Sequence, residues 1–147
     1  MTQEQVERAL VVVAHPDDVD FGSAGTIASW TDSGIAVTYC ICTNGDAGGF
    51  DPDARNPYTH LELAAEGLEA WSVSETWVMT AGAGADTWVD ITDQFDRKVA
   101  ALRRHVSQTS HMDDLEGLLR GFLARNAHLA GLPEGRLAEG FRVVDTR

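Results

Sequence analysis

Residues 9–14, Ala-Leu-Val-Val-Val-Ala, are an unbroken apolar run that stops on His15-Pro16-Asp17-Asp18. An uninterrupted run of this kind predicts a strand buried on both faces, as in a parallel sheet. The next two segments restrict the topology further. Residues 22–33, GSAGTIASWTDS, are small and then helical in character, and Gly34 stands where a helix ends. Residues 35–42, IAVTYCIC, read as a second strand. Strand, helix and strand with short joins make a βαβ unit, so the default is a parallel sheet with a right-handed crossover. Such sheets bind ligands at the carboxyl ends of their strands, and His15 is where the first strand stops.

Pro16 fixes one backbone angle and turns the chain out of the strand. His15 and Asp18 are three apart, which in a turn or a first helical turn places both on one side. Asp17 then points elsewhere. One imidazole and one carboxylate suit zinc, and a third ligand would leave an open position for water. A free carboxylate beside the ion, Asp17, can act as general base. A plainer reading also accounts for these four residues. Asp is common at helix N-termini and Pro at the first helical turn, with His15 a mere strand end. A third reading makes Asp17 and Asp18 a Mg²⁺ pocket. Imidazole is a poor Mg²⁺ ligand, and no strand-end Lys completes such a pocket. Gly22 and Gly25 fit close helix–sheet packing, since their spacing gives no GxGxxG phosphate fingerprint.

Residues 43–59 are dense in Gly, Pro, Asn and Asp, and a structureless stretch so long is unusual in a compact domain. The pattern then predicts a helix over 60–70, strands over 75–80 and 87–91, and a long helix over 92–108. Thr92 or Asp93 would cap that helix, and Phe95, Val99, Leu102 and Val106 would form its apolar stripe. Its DRK and RR charges read as a solvated face. A second amphipathic helix spans 112–131, ending at Gly131 and Pro133, and 141–144 is a closing strand. Cys40 and Cys42 alternate along their strand and share one face, where they are expected as buried thiols in a reducing compartment. Asp20 either orients a site residue or caps the helix. Asp46 is a turn former or a sugar contact. Trp71, Trp77 and Trp88 are expected to serve packing more than a sugar site.

The chain has 147 residues, 44% of them apolar, enough for one domain with a core of ordinary size. Its net charge of −12 repels phosphate backbones and anionic lipid, so nucleic acid and membranes are poor partners. The start, MTQEQVERAL, is polar, and no run approaches transmembrane length. The acidic charge does not exclude a small neutral or cationic substrate, and the expectation is a cytoplasmic protein.

VVVAHPDDVDFGSAGTIASW resembles the opening of the LmbE-like, or PIG-L, family of zinc-dependent de-N-acetylases. CTNGDAGG, residues 42–49, is similar to that family's second-strand loop. DARNP, EGLEAW, VDITDQFDRKVAALRRHVSQ and AEGFRV resemble later family segments, in the right order. The resemblance covers nearly the whole chain. It implies a Rossmann-like α/β fold, a parallel sheet flanked by helices, and a zinc-dependent hydrolase that removes the N-acetyl group from an amino-sugar derivative or related amide. It also implies that His15 and Asp18 are zinc ligands and Asp17 the general base.

The chain departs from the family in the middle. The family carries an Arg-x-x-Glu helix and a His-Pro-Asp-His-like segment that supplies a third zinc ligand and a second histidine. No His-x-x-His occurs here. The expectation is a single domain over 1–147, truncated in the middle with a deletion junction within 50–57. Of His60, His105, His111 and His128, the best stand-in ligand is His105, in RRHVSQ. Backbone hydrogen bonding or solvent is the commoner role for all four. The alternative function is a non-catalytic remnant that binds metal weakly or self-associates to cover sheet edges, a homo-oligomer.

Overall fold

The computed structural model describes residues 6–42, 75–80 and 84–145. The expected loop over 43–59, the helix over 60–70, the deletion junction, Asp46, His60 and Trp71 lie outside the described residues. In chain order the elements are β1 (Arg8–Val13), α1 (Asp18–Asp32), β2 (Ala36–Ile41), β3 (Glu75–Met79) and β4 (Thr87–Asp90). A 3₁₀ turn (Thr92–Gln94), α2 (Phe95–Leu102), α3 (Val106–Thr109), α4 (Leu115–Leu129) and β5 (Ala138–Asp145) complete the order.

β1 and β2 pair in parallel, with Val12 opposite Cys40 and Val13 opposite Ile41. This is the predicted βαβ unit. Its helix starts four residues earlier than the composition suggested, directly on Asp18. Gly34 ends it at φ +86°. The Ile35 amide donates to the Trp30 carbonyl and the Gly34 amide to that of Thr31, both at 3.0 Å. Those two bonds complete a Schellman stop, which needs the left-handed residue that only glycine adopts cheaply.

The remaining strands do not extend that parallel sheet. Among the described residues they form a separate antiparallel sheet in the order β3-β5-β4, with β5 central. The chain is thus mixed α/β. The closing strand is also twice as long as its apolar part, 141–144, suggested.

Three further expectations are corrected. First, β1 is not buried on both faces: Leu10 and Val12 are 62% and 57% exposed. α1 packs on the other face, where Val13, Val19 and Ile27 form a small core with Val11, Trp30, Val37 and Met79. No described element covers the Leu10 face. Cys40, paired with Val12, shares that exposure, and Cys42 is exposed too, so neither is a buried thiol. Second, the helix over 92–108 breaks at 103–105, which leaves Val106 65% exposed. Neither Thr92 nor Asp93 caps it. Instead Asp90 Oδ1 accepts from the Thr92 amide and hydroxyl, at 3.0 and 2.6 Å. Third, the DRK segment is not all solvated, because Lys98 is buried.

The main core joins Ile91, Phe95, Val99 and Leu102 to Leu115, Leu119, Leu123 and Leu137. The i, i+4 repeat of leucines puts one face of α4 into it. Asp114 Oδ1 caps α4 by accepting from the Gly117 amide at 2.8 Å. Gly131, at φ +71°, closes the other end. α1 lies between the two cores, since its Phe21 reaches the larger one and its Val19 and Ile27 fill the smaller.

Candidate functional site

β1 ends at Val13, and five residues later the chain is helical. In that short interval the backbone is tightly bonded. The Asp18 amide donates to the His15 carbonyl at 3.3 Å, and the Asp20 and Phe21 amides donate to the Asp17 carbonyl at 3.0 and 3.1 Å. The turn brings the Asp18 carboxylate back onto His15. Asp18 Oδ2 accepts from the His15 amide at 2.9 Å and lies 3.4 Å from His15 Nδ1. Both side chains remain about half exposed. The expectation that His15 and Asp18 share one side therefore holds.

Asp17 occupies the N-cap position of α1, yet its side chain makes no capping hydrogen bond. Its backbone angles are helical (φ −87°, ψ −19°), unlike the extended geometry in which an Asp caps. Its carboxylate is thus not consumed by the helix end. Asp17, Asp18 and Asp20 all sit at the positive end of the helix dipole.

Asp20 does orient another group. Its Oδ2 lies 2.6 Å from His105 Nε2, and both side chains are mostly buried. His105 occupies the break between α2 and α3. Asp20 engages Nε2, which leaves Nδ1 as the one ring nitrogen that His105 could offer a metal. On β2, Tyr39 stands in register with Val11, on the face toward α1. Partial burial, and then the negative charge of Asp20, raise the Tyr39 phenol above its ordinary pKa. The Asp20 carboxylate thus contacts the His105 ring and acts on the Tyr39 phenol.

Lys98 and Glu139 also belong to the surroundings of this segment, although neither stands out in the sequence. Each is 1% exposed, and Lys98 Nζ donates to Glu139 Oε1 at 2.9 Å. A signal was present, because Lys98 falls three residues after Phe95 and four before Leu102, inside the buried stripe of α2. His111 is exposed and His128 is exposed in the last turn of α4. Trp77 packs against Trp30 and Phe141, with ring centroids 5.6 and 5.4 Å away, which is a packing role.

The donor chemistry of the His15–Asp18 pair can be tested against zinc. A ring nitrogen and a carboxylate oxygen within 3.4 Å of each other, both reachable from solvent, fit two positions of a zinc shell. Among the described residues no group of three His, Cys, Asp or Glu side chains could hold a metal ion. The pair would supply two of the three protein ligands of an open zinc site.

A mixed α/β chain with a His–carboxylate pair at the end of a parallel strand belongs to the large class that carries its chemistry at strand ends. The family is narrower: this chain belongs to the PIG-L family, described as GlcNAc-PI de-N-acetylase, whose model matches residues 10–112. The chain is 37% identical over 87 residues to a 1D-myo-inositol 2-acetamido-2-deoxy-alpha-D-glucopyranoside deacetylase of Actinosynnema mirum. That match covers 57% of this chain and 29% of the relative. It is 41% identical over 64 residues to a diacetylchitobiose deacetylase of Thermococcus kodakarensis, covering 44% of this chain and 22% of the relative. The matched part is less than a third of either relative. No helix among the described residues is long and apolar enough to cross a membrane.

Proposed function

We propose that this protein is a cytoplasmic zinc-dependent hydrolase, on a Rossmann-like scaffold, that removes the N-acetyl group from an amino-sugar derivative or related amide. The observation that carries this reading is the convergence of His15 and Asp18 beside an uncapped Asp17. Both deacetylase relatives act, by their names, on acetylated amino-sugar compounds.

His15 Nδ1 and Asp18 Oδ2 would hold zinc, which when bound polarises an acyl carbonyl and acidifies water. The Asp18 carboxylate is aimed by the His15 amide, so the two ligands are oriented through one turn of backbone. The Asp17 carboxylate takes a proton from the attacking water and returns it to the departing amine. His105 holds Asp20 and through it the first turn of α1.

Acetate release from an N-acetylglucosamine derivative tests the reading. Asp17→Asn is expected to lower the rate about 10²- to 10⁴-fold while zinc stays bound. An Asp17→Asn rate equal to that of the parent protein would overturn the base assignment. The second reading, a non-catalytic remnant that binds metal, is favoured by the lack of any His-x-x-His in the chain. It predicts bound zinc and no acetate from any such substrate.

A further inference from the structure

We propose that Lys98 and Glu139 are positioning residues for the His15–Asp18 pair: a buried ion-pair clamp on the backbone of α1 that fixes the helix's first two turns. The inference rests on the reading of that pair as the metal-holding site.

Every contact of the clamp supports this. Lys98, from α2, has three N–H donors, and all three are used. They reach the Asp20 and Phe21 carbonyls at 2.8 Å each and Glu139 Oε1 at 2.9 Å. Glu139, from β5, accepts from the Gly25 amide at 3.0 Å through Oε1 and from the Thr26 amide at 2.7 Å through Oε2. The Phe21 carbonyl and the Gly25 amide stand at i and i+4, the positions one rung of an α-helix joins. The pair therefore engages both groups that this rung would join, as well as the carbonyl of Asp20, two residues past Asp18.

A device for stability alone would look different. Removing two charges from water is costly, and well-packed apolar residues of the same volume are often as stabilising or more so. Apolar residues can fill the space between α1, α2 and β5, but they cannot grip chosen carbonyls and amides. What the charges add is a fixed position and rotation for α1 relative to β5. The Asp18 carboxylate begins that helix, and its distance from His15 depends on how the helix is set. His105 adds a second hold on the same segment through Asp20. A fully satisfied polar network of this kind rigidifies its surroundings.

The experiment compares the parent protein with Lys98→Met/Glu139→Leu, which fills the space without the grip, and with Glu139→Gln, which keeps the shape. Two readouts are taken well below the melting temperature. One is hydrogen exchange of the His15 amide, whose hydrogen bond to Asp18 reports their convergence without any metal. The other is zinc affinity. The expected result is an intact β1–β2 ladder by amide protection, His15 amide exchange at least about tenfold faster, and zinc binding weakened about 10- to 100-fold. A folded double variant with parent-like His15 exchange and zinc affinity would overturn the proposal. If the double variant does not fold, Glu139→Gln decides by the same two readouts. If the parent protein binds no zinc, the metal reading fails, and His15 exchange alone still judges the clamp.

Discussion

His105 Nε2 and Asp20 Oδ2 lie 2.6 Å apart, joining the break between α2 and α3 to the first turn of α1. Among the described residues no group of three metal-ligating side chains includes His105, so His105→Ala is expected to keep whatever zinc the parent protein binds. It should cost about 1 kcal/mol of stability for one partly shielded hydrogen bond. Zinc retained after dialysis, measured beside a urea unfolding curve, checks both parts. Loss of zinc with an unchanged unfolding midpoint would make His105 a ligand.

Gly25 of α1 packs directly on Ile91, the residue after β4. A Cβ there would meet Ile91 Cβ at 2.7 Å and Cδ1 at 2.9 Å, and Ile91 is fully buried. Gly25→Ala should therefore destabilise the fold by about 1–3 kcal/mol, despite alanine's better helix propensity. Gly121, exposed on α4 with no atom near its added Cβ, is the control. There the same change should stabilise by up to about 1 kcal/mol.

Leu102 is fully buried in the main core, between α2 and α4. Leu102→Ala is expected to cost about 2–5 kcal/mol in urea unfolding. Val106→Ala, four residues on at an exposed position, should change stability by less than about 0.5 kcal/mol. A large Val106 effect would show that the helix runs on as its sequence pattern suggests.

Asp90 ties the end of β4 to the approach to β5. Its burial pushes the carboxyl pKa up, but bonds from the Thr92 hydroxyl and amide, and then Arg136 at 2.6 Å, outweigh that and lower it. A lowered folded-state pKa gives stability that is present above the unfolded value, about 3.9. That stability is lost as pH falls through the folded value. The stability gap between the parent protein and Asp90→Asn should thus be open near neutral pH and shrink in acid. Urea midpoints for the two proteins across that range give the test, and a gap that widens in acid would reverse the sign.

The βαβ unit was legible because its signals are local. The apolar run, the Gly34 stop and the alternation of β2 each act within a few residues. His15 and Asp18 were legible for the same reason, being joined by one turn. The antiparallel sheet was not, since Ala138, Glu139 and Gly140 have little strand character of their own. They become strand by pairing with Asp90, Val89 and Trp88 of β4, while β3 pairs with the apolar part beyond them. Glu139 tolerates burial through a partner 41 residues away. The break at 103–105 was hidden by a continuing helical pattern, and it coincides with His105 meeting Asp20 across 85 residues. The exposed face of β1 could not be read either, because an apolar strand carries no record of which of its faces is covered.

The most direct measurement is zinc bound per chain after dialysis against a weak chelator, in the parent protein, His15→Ala and Asp18→Ala. The account predicts about one equivalent in the parent and loss in both variants, with their unfolding midpoints little changed. Zinc that persists in either variant, or no zinc in the parent protein, would contradict it.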